Sequence, residues 1–287
     1  MKLLIIIFVF FIVYVLFVTK RVKRRTRFIV QGHKPGMVCT MRNTSGHRVQ
    51  TKTEPSFIMY THPIKDDIHV SGSLLRDGIW ERHFVLQFSK YLDDYPEAIV
   101  VDVGSNLGMY SLLAAKKGHT VYAFEPFQKN IHRQCNSILA NNLTNLHLFP
   151  YALSYKTLRV NFQGPKENIG GTHTKEVENI TGIENVDFAR AYTIDSFKIP
   201  NNKPIIMKID IEGSECEMMK GATNFFKRHN ITIILMEWGQ VSKKCKSIDQ
   251  IIDTMHSKGL RVHDANGQSI LSDKKRPWTN HWDVVWK

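Results

Sequence analysis

The chain has 287 residues, of which 43% are hydrophobic and 23% are charged, and its formal net charge is +13. This length and composition suit one large globular domain or two small ones, and they exclude collagen-like and disordered chains. Residues 1–53 carry 11 Lys and Arg and no acid, which leaves 28 basic and 26 acidic residues in the remainder. The excess charge therefore belongs to a leader, and it is weak evidence for a nucleic-acid-binding domain.

An uncharged apolar run, Leu3–Val18, predicts a transmembrane anchor over residues 1–19. Its sixteen residues span about 24 Å as a helix, slightly less than the ~30 Å hydrocarbon core. No small-residue cleavage site follows, which favours a retained single-pass anchor over a cleaved signal peptide. The membrane would be that of the endoplasmic reticulum, the Golgi or the cell surface. Basic residues from Lys20 to Arg27 follow the run, so the positive-inside rule places the rest of the chain in the cytoplasm.

Two sequence features bear on the compartment without deciding it. N-x-S/T tripeptides, the acceptors of N-glycosylation, occur at Asn43, Asn142, Asn179 and Asn230. The cysteines are widely spread without a C-x-x-C pair, which predicts buried free thiols and no metal site, at Cys39, Cys135, Cys216 and Cys245.

The pattern of the remaining chain predicts an α/β domain behind a tether. Residues 20–77 are polar and irregular, and we interpret them as a basic flank and stalk. Residues 78–287 form the predicted domain, with a helix over Ile79–Tyr95 and strand–helix alternation from residue 98 onward. Gly and Pro punctuate residues 150–204, which we interpret as an insertion of hairpins over the carboxyl edge of the sheet.

The stretch Ile99–Ser111 organises this domain. An apolar strand ends at Asp102, and a turn flanked by Gly104 and Gly108 leads into a helix. This unit is typical of nucleotide-binding folds, where glycines let a ligand approach the backbone N–H groups. Asn106 occupies the place of the second glycine of the dinucleotide fingerprint, which argues against an NAD-type oxidoreductase.

Acidic residues follow the predicted strands. Glu125 stands 21 residues after Gly104, close to the spacing that brings a carboxylate to a bound ribose. Asp210 and Glu212 follow a second apolar strand and would face the same crevice, although acids at this place could also serve the next helix as N-terminal charges. Glu81, at the start of a helix, could contact a ligand or complement the helix dipole.

With these residues in place, the chain resembles the FkbM-type family of S-adenosylmethionine-dependent methyltransferases. The resemblance covers about residues 78–240, and its motifs are Asp102–Ser111, Ala123–Pro126, Tyr151–Leu153, Thr193–Phe197 and Lys208–Gly213. It implies a class I methyltransferase (Rossmann-like) sheet of seven strands with the last strand antiparallel. It also implies S-adenosyl-L-methionine as cofactor. With Glu81 added from its position, the expected cofactor-binding residues are Glu81, Asp102, Gly104, Ser105, Asn106, Gly108, Glu125 and Pro126.

Family members mostly methylate hydroxyl oxygens, so the expected partner is a sugar, glycan, lipid or small-metabolite acceptor, without nucleic acid or metal. An acceptor hydroxyl needs a base to remove its proton, and Asp210, Glu212, Glu237 and His173 are the candidates. We expect Asp210 or Glu212 to line the acceptor pocket, with His173 as the weaker choice. The alternative functions are a non-catalytic membrane-tethered binding protein that keeps the fold and an NAD-type oxidoreductase. A nucleic-acid methyltransferase is disfavoured because the chain has no N-P-P-Y-like signature.

Overall fold

The computed structural model describes residues 36–164, 167–177, 187–239, 241, 245–264, 267–270 and 283–287. Its strands are β1 Arg48–Gln50, β2 Ile58–Tyr60, β3 Ile99–Val103, β4 Val121–Phe124, β5 Leu146–Phe149, β6 Ala152–Leu153, β7 Leu158–Gln163, β8 His173–Glu176, β9 Phe188–Tyr192, β10 Ile205–Ile209, β11 Ile231–Glu237, β12 Val262–His263 and β13 Asp283–Trp286. Its helices are α1 Val70–Asp77, α2 Arg82–Asp94, α3 Met109–Lys116, α4 Gln128–Ala140, α5 Glu215–Lys220, α6 Thr223–Arg228 and α7 Ile248–Ser257.

A seven-stranded sheet forms the centre of the fold, in the order β12-β13-β11-β10-β3-β4-β5. The five neighbours from β11 to β5 are parallel, and β13 runs antiparallel to both β11 and β12. The α/β fold with a mostly parallel sheet, predicted from the sequence, is therefore confirmed. The carboxyl ends of the parallel strands meet at one edge, together with the first residue of β13.

The sheet is covered on both faces, which explains why its strands are nearly continuous apolar runs. Successive residues of β3 point to opposite faces: Val100 packs with Leu112 of α3, and Val101 packs in the cluster that contains Phe225 of α6. Strand β10 is buried throughout, including its one charged residue, Lys208.

The segment before the predicted domain contributes to the core from its first strands onward. Phe57 and Met59, around β2, are buried in the cluster that contains α2, α3 and α4. The side chain of Asn141 accepts a hydrogen bond from the Ile58 N–H at 2.9 Å and donates one to the Ile58 carbonyl at 2.7 Å. Part of the expected stalk is thus packed on the domain, because polar groups at the end of α4 take the place of a neighbouring strand.

A second sheet of four strands, in the order β6-β9-β7-β8, occupies the described part of residues 150–204. Strand β7 pairs antiparallel with both β8 and β9. Phe162 of β7 and Thr174 of β8 line the cavity described below. This sheet therefore supplies one wall of that cavity.

The cysteines form two disulfides, Cys39–Cys135 and Cys216–Cys245, and none of the four is free. The prediction of free thiols was wrong. The partners lie 96 and 29 residues apart in the chain, so only the packing of the chain brings them together.

Within the described residues, no helix is long and apolar enough to cross a membrane. The apolar run Leu3–Val18, which carries the predicted anchor, lies outside those residues.

Candidate active site

A cavity of about 400 Å³ opens at the carboxyl edge of the central sheet. Its lining comes from the residues that follow β3, β4, β10 and β11, from the start of β13 and from the four-stranded sheet. In open α/β sheets ligands bind in this crevice. We refer to it as the edge cavity.

The loop after β3 brings the protein backbone close to the cavity. Gly104 has a φ of 84°, and a Cβ there would lie 1.8 Å from the carbonyl oxygen of Asp210, so only glycine fits between the two strand ends. Asn106 also has a left-handed backbone, with a φ of 51°, and its Oδ1 is buried without a hydrogen-bond partner among the described residues. An unsatisfied acceptor beside a cavity is a place for a ligand donor.

Glu125 follows β4 and faces this loop. Its side chain is 5% exposed, and its two oxygens accept hydrogen bonds from the N–H groups of Asn106 at 2.7 Å and Phe127 at 2.8 Å. Burial raises the pKa of Glu125 to about 7, although these N–H groups oppose the shift. The Asn130 side chain is a third hydrogen-bond partner of this carboxylate, which retains acceptor capacity towards the cavity that it lines.

Asp102 and Ser105 occupy the inner side of the loop. Asp102 is 1% exposed and accepts a hydrogen bond from the Ser111 hydroxyl at 2.5 Å. Burial raises the pKa of Asp102 to about 6, while the Ser111 hydroxyl and Lys208 lower it. The Ser105 hydroxyl is bonded to the side chain of Gln134. Pro126 lines the cavity beside Glu125.

The other end of the edge cavity is rich in charge. Lys208 donates to Asp210 Oδ2 at 2.8 Å, and its Nζ lies 5.2 Å from the ring centre of Tyr110. Burial lowers the pKa of Lys208, but the carboxylates of Asp210, Glu81 and Asp283 raise it well above its usual range. Lys208 therefore keeps its positive charge, and it forms an ion pair with Asp210.

Glu81 lies beside this ion pair. Its Oε2 accepts a hydrogen bond from the Tyr110 hydroxyl at 2.6 Å, and its backbone is left-handed, with a φ of 46°. Burial and the neighbouring Glu81 carboxylate raise the pKa of Tyr110 well above its usual value. The Tyr110 hydroxyl consequently stays protonated and remains a donor to Glu81.

Glu212 lines the edge cavity, two residues beyond Asp210 in the chain. Its backbone is left-handed, with a φ of 53°. Burial, together with the charges of Asp210 and Glu215, raises the pKa of Glu212 to about 7. Glu215 itself accepts hydrogen bonds from the N–H groups of Ile211 and Gly213, so it fixes this turn.

Two further carboxylates complete the wall. Glu237 is 4% exposed, and its Oε2 has no hydrogen-bond partner among the described residues. Burial and the neighbouring carboxylates, Asp210 first among them, raise the pKa of Glu237 to about 9. Asp283 stands opposite Glu237 in the β11–β13 pair, and burial raises its pKa to about 7.

Sequence reasoning missed Asp283. The signal for it was the antiparallel direction of the last strand, since an antiparallel strand brings its first residue to the edge where the others end. His173 is exposed on β8, and it does not line the edge cavity, although its neighbours Thr172 and Thr174 do. Apart from His173, the expected residues therefore either line the edge cavity or, like Gly108, belong to the loop after β3 beside it. Among the described residues, no group of His, Cys, Asp and Glu is arranged to hold a metal ion.

Comparison with known proteins finds methyltransferases. The profile of the methyltransferase FkbM domain matches residues 102–262. The chain is 29% identical over 141 residues to the hexuronic acid methyltransferase AglP of Haloferax volcanii, an alignment that covers 49% of this chain and 56% of that relative. The chain thus matches about half of the length of this relative.

The solved structures that this chain matches include methyltransferases of low sequence identity. An rRNA methylase from Streptococcus thermophilus is 11% identical, with a TM-score of 0.41 over 70% of this chain and 93% of that one. TYW2 from M. jannaschii, in complex with AdoMet, is 11% identical, with a TM-score of 0.40 over 86% of this chain and 87% of that one. The FkbM profile, in contrast, matches more than half of the chain directly, and the chain therefore belongs to the FkbM methyltransferase-domain family.

Proposed function

We propose that the protein is an S-adenosylmethionine-dependent methyltransferase that methylates a hydroxyl oxygen of a sugar, glycan, lipid or small metabolite. The observation that carries the proposal is Glu125, a buried carboxylate fixed by two backbone N–H groups beside the glycine loop of the edge cavity. A neutral residue would hold a ribose diol less strongly than this oriented carboxylate.

The residues of the loop fit this cofactor. Glu125 would accept hydrogen bonds from the two ribose hydroxyls of the cofactor. The backbone of Gly104–Gly108 would lie against the methionine part of the cofactor, and Asp102 would lie near the ammonium group of that part. The unpartnered Oδ1 of Asn106 offers a further acceptor. Ser105, Pro126 and Glu81 complete the proposed set. When bound, S-adenosylmethionine supplies a methyl group on a cationic sulfur.

We assign the general base to Glu212. It lines the cavity, and its pKa of about 7 leaves a substantial ionised fraction at neutral pH while keeping the carboxylate basic enough to accept a proton. Asp210 is held by Lys208 and serves the site by fixing that cation. His173 is exposed outside the cavity lining, so it is the weaker candidate. Glu212 would take the proton of the acceptor hydroxyl as its oxygen attacks.

The acceptor wall favours a molecule with several hydroxyl groups. Glu212, Glu237 and Asp283 line it together with the ion pair of Lys208 and Asp210. Carboxyl groups form hydrogen bonds with hydroxyl groups, as acceptors when ionised and as donors when protonated. A carbohydrate with several hydroxyl groups suits this wall, and AglP is named for a sugar derivative, a hexuronic acid.

The apolar run Leu3–Val18 supports a single-pass membrane anchor in the endoplasmic reticulum, the Golgi or the plasma membrane. The basic residues after it would lie at the membrane surface. Such an anchor would hold the edge cavity close to membrane-bound acceptors.

The purified protein with methyl-labelled cofactor tests this function against pools of glycans, lipids and small alcohols. We expect label in one acceptor pool and its loss in the Glu212→Gln variant, with Glu217→Gln on α5 as the matched control. Cofactor binding without transfer to any pool would instead favour the non-catalytic binding protein. Binding of NAD in place of the methyl donor would favour the oxidoreductase.

A further inference from the structure

Both disulfides join segments that are distant in the chain. The Cα atoms are 5.0 Å apart for Cys39–Cys135 and 5.6 Å apart for Cys216–Cys245, within the range of disulfides in proteins. The first pair ties the segment before β1 to α4, and the second ties α5 to the segment before α7. Each pair thus clamps a peripheral segment to the folded domain.

The Cys39–Cys135 pair has the burial of a structural disulfide rather than of a redox centre. Cys135 is 1% exposed, whereas catalytic and redox-sensing cysteines are accessible to their partners. All four cysteines of the chain are used, and none is left free. Because the cytosol keeps thiols reduced, a domain with two such bonds belongs to an oxidising compartment.

Two of the glycosylation tripeptides lie at the surface of the same domain. Asn142 and Thr144 are both exposed in the connection between α4 and β5. Asn43 and Ser45 are both exposed in the segment before β1. The tripeptide at Asn230 differs, because its Thr232 is half-buried within β11.

The position of these asparagines leaves the edge cavity open. Asn142 precedes β5, so it lies at the amino edge of the sheet, opposite the cavity. Asn43 lies on the outer side of α4, since the adjacent Arg42 N–H donates to the Asn136 side chain at 2.8 Å. A glycan at either place would extend into solvent without covering the active site.

We propose that this domain resides in an oxidising, glycosylating compartment of the secretory pathway, with N-linked glycans on Asn43 and Asn142. In the modification, the Asn amide nitrogen bonds to C1 of a lipid-diphosphate oligosaccharide. The C1–O bond breaks, the lipid diphosphate leaves and the amide loses one proton. Each cysteine pair gives two electrons and two protons to a disulfide oxidoreductase of that compartment. The proposal does not depend on the methyl-transfer reaction.

This placement reverses the prediction from the positive-inside rule. That rule depends on the flank Lys20–Arg27, whereas the disulfides and the exposed tripeptides belong to the domain itself. The domain therefore lies on the non-cytoplasmic side of its membrane.

The chain is expressed in animal cells, denatured and treated with a thiol-alkylating reagent without reductant, and then deglycosylated enzymatically in heavy-oxygen water. Peptide mass spectrometry should find the heavy-oxygen label at Asn142 and Asn43 and no alkylation at the four cysteines. Thr144→Ala should abolish the label at Asn142, whereas Thr144→Ser, which keeps the tripeptide, should retain it. Alkylation of the cysteines in the wild type would contradict the proposed oxidising compartment. An asparagine without the label would contradict the proposed glycosylation at that residue.

Discussion

The proposed role of Glu212 as general base can be tested through the titration of its carboxyl group. Because its pKa is about 7, the rate of methyl transfer should rise as the pH increases through 7 and the carboxylate ionises. Glu212→Gln should lower kcat by roughly 10²- to 10⁴-fold and remove this rise. Steady-state kinetics across the pH range measure both effects. An unchanged pH profile in the variant, with cofactor affinity intact, would exclude Glu212 as the base.

The raised pKa of Glu237 makes the free energy of unfolding depend on pH. Its pKa is about 9 in the folded chain against an ordinary value of 4.5, so between these values the folded state binds more protons than the unfolded state. The free energy of unfolding contributed by this group is therefore complete below about pH 4.5 and is lost as the pH rises towards 9.

Glu237→Gln removes this titration. The variant should have nearly the Tm of the wild type at about pH 5 and a higher Tm at about pH 8. Thermal unfolding followed by circular dichroism measures the difference. A variant that is less stable at the higher pH would show that the carboxylate is ionised and stabilising in the folded chain.

At the scale of elements, the close approach of β3 and β10 depends on Gly104. Gly118 offers a matched control, because its φ of 99° is also left-handed but a Cβ there would meet nothing within 4 Å. Gly118→Ala should cost about 1–2 kcal/mol from backbone strain alone. Gly104→Ala should cost at least about 2 kcal/mol more, because its Cβ would collide with the Asp210 carbonyl. Urea unfolding of the two variants measures this difference, and equal losses would contradict the packing described here.

The disulfides should contribute according to the chain they enclose. Separations of 96 and 29 residues correspond to about 4.7 and about 3.6 kcal/mol in the chain-entropy model. Replacing Cys39 and Cys135 by Ala should therefore lower the free energy of unfolding more than replacing Cys216 and Cys245. Chemical unfolding under non-reducing conditions compares the two double variants. The opposite order would show that local strain or residual structure outweighs chain entropy.

Local sequence patterns predicted the strands and helices of the central sheet. Features that depend on contacts between distant parts of the chain could not be predicted. The apolar strand predicted to end at Asp102 is observed as Ile99–Val103, because a strand buried on both faces is an uninterrupted apolar run. The helix predicted after Gly108 begins at Met109. Cys39–Cys135 could not be predicted, since nothing in the sequence shows that this segment packs on α4. Asp283 was missed for a related reason, because its partner Glu237 is distant in the chain.

In the whole molecule, one edge of the central sheet holds two groups of residues, the glycine loop with Glu125 and the charged cluster around Lys208. The ends of β3 and β4 supply the glycine loop and Glu125, and the ends of β10 and β11 with the start of β13 supply Lys208 and the carboxyl groups. The order of strands places these two groups side by side in a single cavity. This arrangement places the proposed cofactor site and the proposed acceptor wall in the same cavity.

Calorimetric titration of the protein with S-adenosylmethionine tests whether the edge cavity binds this cofactor. We expect the wild type to bind the cofactor, and Glu125→Gln to weaken binding at least tenfold, which is about 1.4 kcal/mol. Affinity should also increase as the pH rises through about 7, because Glu125 then ionises. Glu217→Gln, with the same change of charge on α5, should bind like the wild type. Equal affinity of Glu125→Gln and the wild type, with both folded, would contradict the assignment of the edge cavity to this cofactor.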